Sequence, residues 1–382
     1  MDFELSADQR MIVETAAAFV KKELPLERMR HMREDATGWS RDVWKQMGEL
    51  GWLGIMHPES VGGFGGSFVD AALILERLGG NLVGEPFAAS AVVGAMAMRA
   101  GSAEQQERFL APMIAGDTSL ALAWAERAGR FDAHRVATRA EKTSDGYRIR
   151  GEKVWVLNGH AADHLVVSAR TSGADGAREG VSLFVLDGDA PGVVRKAVKT
   201  MDGQRAAMVT LDCTVPSDRL LGDEGGAAEP LERVLDHGAA ATIAEGHGVM
   251  KAALDMTVEY LKTREQFGVK IGVFQALQHR AVDMFVETEL TKSAMLMSAI
   301  KVESSDPVER KRAISAAKAQ LAMSGRYVSQ QSIQLHGGVG VTDEHDIGLY
   351  FKRMHVLTTL YGDEEHHLAR YASLPLGVPL GV

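Results

Sequence analysis

Thr263-Arg264-Glu265-Gln266-Phe267-Gly268 and, about seventy residues later, Gln334-Leu335-His336-Gly337-Gly338-Val339-Gly340 are the segments of this 382-residue chain with the clearest chemical content. An arginine beside a turn glycine, and a glutamine ahead of three closely spaced glycines, supply a cation, an amide and bare backbone N–H groups suited to a pyrophosphate. Taken together they read as a dinucleotide clamp. Each half alone has a plainer reading: a helix ending at a glycine, and a cluster of turn glycines.

The frame around the two segments decides between these readings. A helical stretch from Leu231 to Lys262, ending in Tyr260-Leu261-Lys262, leads into the first, and Gln275, Gln278 and His279 follow it. Upstream lie Phe3-Glu4-Leu5-Ser6-Ala7-Asp8-Gln9-Arg10, then Leu50-Gly51-Trp52-Leu53-Gly54 with Pro58-Glu59 and two Gly-Gly pairs at 62 and 65. Gly151-Glu152-Lys153-Val154-Trp155-Val156 with Asn158-Gly159 comes next. In this order the segments resemble the acyl-CoA dehydrogenase flavoproteins over nearly the whole chain. Asp202-Gly203-Gln204-Arg205-Ala206-Ala207, His279 to Phe285 and Leu360-Tyr361-Gly362-Asp363 further resemble the small subunit of pimeloyl-CoA dehydrogenase and similar bacterial partner subunits.

The resemblance implies an FAD held by Arg264, Gln266, Phe267, Gln275, Gln334, Gly337, Gly338 and Gly340 across a subunit boundary, with Glu126 and Trp155 on the flavin-ring side. It also implies an acyl-CoA substrate, an electron-transfer flavoprotein as electron acceptor, and a tetramer. Members remove the substrate's α-proton with a glutamate at one of two places. Here those places align with Gly362, in Tyr361-Gly362-Asp363-Glu364, and with Gly238. The adjoining substrate arginine aligns with Ala239, and two ring-contacting threonines align with Ala125 and Leu157.

Three carboxylates remain as candidate replacements. Asp363 and Glu364 follow the lost base directly, and Glu245 lies two helical turns beyond Gly238 on the same face, about 10 Å along the axis. Two functions follow: a subunit with a degenerate site that completes a partner's FAD site, or a self-sufficient homotetrameric dehydrogenase using a base such as Asp363. A binding or scaffold protein without nucleotide requires the clamp to be coincidental.

The elements that must position these residues are legible in outline. Apolar residues recur at helical spacing before residue 118, as in Ala71, Leu75 and Leu78. The period then shortens, and Tyr147-Arg148-Ile149, Lys153 to Val156, Leu165 to Val167, Val181 to Val185 and Met208 to Leu211 read as strands. Beyond Gly222-Asp223-Glu224-Gly225-Gly226 four long helical patterns return, with Asp306-Pro307 as a break and helix start. The predicted organisation is α+β: an N-terminal helical domain (1–117), a middle β domain (118–225) and a C-terminal helical bundle (226–382).

Composition narrows the remaining classes. A net charge of −9 with a pI near 5.8 argues against a nucleic-acid binder, and the basic run Arg310-Lys311-Arg312 reads as a solvated helix face. One cysteine, Cys213, excludes an internal disulfide. His160 with His164, and His366 with His367, fall in turn-and-strand or consecutive positions, so no metal site is expected. Eighteen methionines, Met295 and Met297 among them, read mainly as core filler. No apolar run spans a bilayer and Met1 to Glu4 opens no secretory signal, which points to the cytoplasm.

Overall fold

The computed structural model describes residues 5–375, so Phe3 and Glu4 of the opening motif lie outside the described residues. Helix α1 (Ala7–Glu23) begins at a capping box: Ser6 accepts from the Gln9 N–H while the Gln9 side chain reaches back to the Ser6 N–H. Helices α2 (Leu26–Met32), α3 (Arg41–Glu49) and α4 (Phe68–Gly80) follow, then the short α5 (Ala95–Met98), α6 (Ala103–Gln105) and α7 (Ala111–Ile114).

Strands β1 (Leu120–Ala123), β2 (Arg139–Thr143), β3 (Gly146–Leu157), β4 (His164–Arg170), β5 (Val181–Asp187), β6 (Val193–Lys199), β7 (Arg205–Val215) and β8 (Leu220–Leu221) come next. Helix α8 (Ala228–Thr263), the hairpin β9 (Glu265–Gln266) and β10 (Val269–Lys270), and helices α9 (Gln275–Lys301), α10 (Pro307–His336), α11 (Ile347–Leu357) and α12 (Glu364–Ala372) complete the described chain. The order is helical, β, helical, as the change of hydrophobic period predicts.

The described residues form two compact units. One draws on Glu27–Ala71 and Gly84–Gly238, the other on the described residues up to Leu26, on Ala72–Val83 and on those from Ala239 onward. The division passes through α4 and α8, so a split by chain order and a split by packing differ.

The first unit holds the sheet, ordered β6-β7-β3-β2-β4-β5-β8 with β1 parallel to β4. Its core is made by Ile149, Val156, Leu165, Val167, Phe184 and Val209 with their neighbours, all essentially buried. Strands β3 and β7 pair from Tyr147 opposite Val215 to Leu157 opposite Ala206, interrupted by a bulge between Lys153 and Val156. Strand β6 closes one edge and carries Arg195, Lys196 and Lys199, charges that discourage further pairing.

The second unit is helical. Close approach of α4 and α8 requires glycine: a Cβ on Gly248 would sit 1.9 Å from the Glu76 carbonyl oxygen, and one on Gly79 2.2 Å from that of Glu245. Helix α10 starts as its sequence predicts, with Asp306 accepting from the Val308 N–H and Pro307 in the first turn. The basic run behind it is not wholly a solvated face, because Arg310 is completely buried. Methionine usage also divides, with Met295 buried and Met297 40% exposed on the opposite side of α9.

Candidate functional site

Helix α8 ends at Thr263, and the chain reverses at once in the β9–β10 hairpin, where Gln266 pairs with Val269. The two loop residues, Phe267 and Gly268, have φ of 55° and 77°, the left-handed pair that matches the twist of a two-residue hairpin. Phenylalanine is strained there, and its ring is 91% exposed. The Arg264 carbonyl accepts from the Ile271 N–H at 2.9 Å and the Lys270 ammonium donates to the Thr263 carbonyl at 3.0 Å, which fixes the hairpin on the helix end. Arg264, Gln266 and Gln275 are all exposed. The Gln266 side-chain amide donates to the neighbouring Glu265 carbonyl at 2.7 Å.

The second segment ends α10. His336 is buried, Gln334 is exposed, and Gly337 turns the chain at φ 63° into a short 3₁₀ turn over Gly337–Val341. A Cβ on Gly337 or Gly338 would meet nothing within 4 Å, whereas one on Gly340 would lie 2.6 Å from the Ile333 carbonyl. Gly340 is thus explained by packing. Gly337 and Gly338 leave bare backbone facing open space, an arrangement suited to close approach by an anionic ligand.

The ends of α8 and α10 are joined by rings. Tyr260 stacks on His336 with centroids 4.5 Å apart and planes at 30°, and His345 packs against His336 at 4.6 Å. His336 Nδ1–H donates to the Ser332 carbonyl at 2.7 Å, and burial lowers its pKa. Arg264 and Gly337 thus each follow closely on a member of one ring pair. The residues present therefore fit a diphosphate-bearing cofactor: a cation, amides and uncovered glycines on a common support.

Glu126 and Trp155 belong to the β-sheet unit. Glu126 is buried and accepts from Lys153 Nζ at 2.7 Å and from the N–H groups of Ala137 and Thr138. Burial opposes its charge, but Lys153 and these hydrogen bonds hold its pKa below the usual carboxylate range. Burial pulls Lys153 down to about 8 against the opposing pull of Glu126, and we take the pair as charged because both ends are hydrogen-bonded. Glu126 therefore organises the Ala125 backbone, whose carbonyl accepts from the Val154 N–H at 2.9 Å. Trp155 sits on the bulge at φ 53° and is 54% exposed, the kind of strained, outward-aimed residue that bulges produce beside sites.

The two base positions are built quite differently. Gly238 and Ala239 are buried on α8. Gly362 lies in the α11–α12 connection at φ 119°, after Tyr361 at φ 57°, and a Cβ there would lie 2.5 Å from His367 Nε2 and 2.7 Å from His366 Cδ2. This connection is held from below by Lys318 of α10. Its ammonium donates at 3.0 Å to the carbonyls of Leu357, Thr358 and Gly362, although burial lowers its pKa to about 7. His367 is held neutral, pushed down to about 2 by burial and by Lys318 beside it, so its Nε2–H donates to the Tyr361 carbonyl at 3.1 Å.

The candidate carboxylates have structural partners. Asp363 caps α12, accepting from the His366 N–H at 2.9 Å. Glu364 pairs with Arg326 at 2.5 Å. Glu245 is buried and takes both Nε and a terminal nitrogen of Arg353, at 2.7 and 2.6 Å. Of the three, Asp363 and Glu364 line a cleft of about 670 Å³ together with Arg326, Phe351, Met354 and Leu368.

Sequence reading passed over Lys318 and Arg353. A lysine set among Ala316, Ala317 and Ala319 was the available signal for the first. Of the histidine pairs, His164 accompanies Asp187 and His160 meets the Thr37 carbonyl; among the described residues no group of three or more His, Cys, Asp or Glu is placed to hold a metal. No helix among them is long and apolar enough to cross a membrane.

Comparison with known proteins accounts for the whole architecture. Models of the acyl-CoA dehydrogenase N-terminal, middle and C-terminal domains match residues 6–117, 121–213 and 225–373. The chain belongs to the acyl-CoA dehydrogenase family. Its relatives include the probable acyl-CoA dehydrogenase YngJ of Bacillus subtilis, 32% identical over 91% of this chain and 92% of YngJ. A chain solved in work on the electron transferring flavoprotein of Acidaminococcus fermentans superimposes with a TM-score of 0.90 at 30% identity, covering 97% of this chain and 98% of that one. A chain of the ChsE4-ChsE5 complex of Mycobacterium tuberculosis does so with a TM-score of 0.88 at 26% identity, covering 98% and 100%. The family is one of flavoprotein oxidoreductases acting on CH–CH bonds, which typically bind FAD.

Proposed function

We propose that this chain serves α,β-dehydrogenation of an acyl-CoA thioester as a partner subunit, completing the FAD site of a related subunit rather than abstracting the α-proton itself. The observation that carries this reading is the α11–α12 connection, where Gly362 has neither the φ nor the space for a side chain while three carbonyls are fastened to Lys318. A glutamate at this position needs a different loop.

The bound flavin would supply the hydride acceptor. This chain's part is to hold it through Arg264, Gln266, Phe267, Gln275 and Gln334, with backbone N–H groups around Gly337, Gly338 and Gly340; Trp155, in the β-sheet unit, offers an exposed aromatic face of its own. The resemblance to pimeloyl-CoA dehydrogenase small subunits and the likeness to a chain of a two-component complex support a hetero-oligomer. An electron-transfer flavoprotein as acceptor and a cytoplasmic location complete the proposal.

A second reading, a self-sufficient enzyme with Asp363 as base, draws on the position of Asp363 at the cleft beside α12. The visible spectrum separates the two. Colourless protein when the chain is made alone, gaining flavin only with a co-expressed relative, supports the partner subunit. Stoichiometric flavin that bleaches with acyl-CoA in the chain alone overturns it.

A further inference from the structure

A second cleft in the helical unit, of about 430 Å³, opens between α1, the end of α4 and α8. The bare backbone of Gly80 and Gly248 lies along it, Val20 and Leu26 give it an apolar wall, and Lys21 and Arg77 bring charge to it. Its shape is held from outside. Tyr350 of α11 donates to the Gly80 carbonyl at 2.8 Å, and the Asn81 amide donates to the Leu24 carbonyl at 3.2 Å, tying the end of α4 to the end of α1.

The charges around this cleft do not balance. Lys251 is held by Asp255 at 2.7 Å, and Glu76 faces the buried His247 of α8 at 3.2 Å. Burial opposes the Glu76 charge, but His247, Arg77 and Lys292 hold its pKa below the usual carboxylate range. One carboxylate therefore answers several cations, and among the described residues Arg77 and Lys21 make no hydrogen bond or ion pair. Arg77 is the more informative of the two. It is only partly exposed, and its Nε–H is buried without an acceptor, a position that costs free energy until something accepts from it. A cation that merely complements the end of α4 does so equally well from solvent.

A planar guanidinium lining a cleft with its donors unanswered matches an incoming carboxylate, and the apolar wall beside it sets the rest of the ligand. We propose that this cleft binds a small organic anion, a carboxylate on a short apolar chain, with Arg77 and Lys21 on the carboxylate and the chain against Val20 and Leu26. Its volume suits a ligand of this size, at the small end of the range for such sites. Lys251, on the wall of the cleft, lies about 18 Å along α8 from Thr263. The cleft is thus separate from the proposed clamp, and it stands or falls apart from the partner-subunit reading.

The test uses the full chain with hexanoate as the probe. Hexanoate is expected to raise the melting temperature of the parent saturably, whereas hexanol and inorganic phosphate are not. Arg77→Met keeps the stem and removes the unanswered donors, so without ligand it is expected to melt no lower than the parent. Calorimetry should show it binding hexanoate about tenfold more weakly or worse, the scale of a lost hydrogen bond to a charged group. Ala17→Trp, at an exposed position on the cleft, fills it and should weaken binding as much with far-UV circular dichroism unchanged. No effect of hexanoate on the parent, an equal response to hexanol or to phosphate, hexanoate affinity unchanged in either variant, or an Arg77→Met chain that melts well below the parent would each overturn the proposal.

Discussion

Tyr260 in the last turn of α8 stacks on His336 at the end of α10, with ring centroids 4.5 Å apart. This pair places the hairpin of Arg264 and the glycine turn of Gly337 on one support. Tyr260→Ala removes the stack without touching either segment of the proposed clamp. We predict a fall in FAD affinity of about tenfold, on the scale of an aromatic pair, with little change in melting temperature. An FAD titration of the assembly checks this, and unaltered affinity would show that the two segments do not depend on each other.

Gly362→Glu should fail to create activity and should cost stability. The position combines φ 119° with a Cβ contact of 2.5 Å to His367, which together amount to about 2 kcal/mol or more. Urea unfolding measures the loss; a variant as stable as the parent, or one with vigorous turnover, would mean the connection remodels readily.

Glu245→Gln removes the carboxylate charge that faces the buried Arg353 guanidinium. Breaking a pair of this kind costs about 3–5 kcal/mol, so the expected signature is a large drop in melting temperature. A full loss of acyl-CoA turnover in the assembly with stability intact would instead return Glu245 to a chemical role.

Acid should destabilise the fold well above the carboxylate range. Burial, the largest cause at each, pushes His57 and His237 down to about 4 and His367 to about 2, whereas unfolded histidine titrates near 6.5. Folded-state values are depressed, so their contribution is present above pH 6.5 and is lost as the unfolded chain takes up protons below it. From pH 7 to pH 5 three such groups contribute a loss of about 5 kcal/mol. Urea midpoints at the two pH values test this, and equal midpoints would contradict it.

How much of this was legible in sequence depends on the range of the interaction. Ser6 with Gln9, and Asp306 with Pro307, are local caps, and both helix starts were readable. The strands β2, with Arg139, Glu141 and Lys142, and β6, with Arg195 and Lys196, were missed because they are half-polar and half-exposed, so they show no apolar alternation. Asp363 and Glu245 stood out as unplaced carboxylates; their partners, the His366 N–H and Arg353, became visible only in three dimensions. Lys318 was overlooked because a lysine on a helix normally points to water, and only the α11–α12 connection, some forty residues on, explains its burial.

The most direct measurement is the FAD dissociation constant of the assembled protein with and without Arg264→Ala. The variant removes one charge-assisted contact at an exposed position, worth about 1.5–3 kcal/mol. We predict a rise in Kd of about tenfold to a hundredfold with assembly mass and melting temperature of the apo form unchanged. An unchanged Kd would contradict the clamp and the function proposed from it.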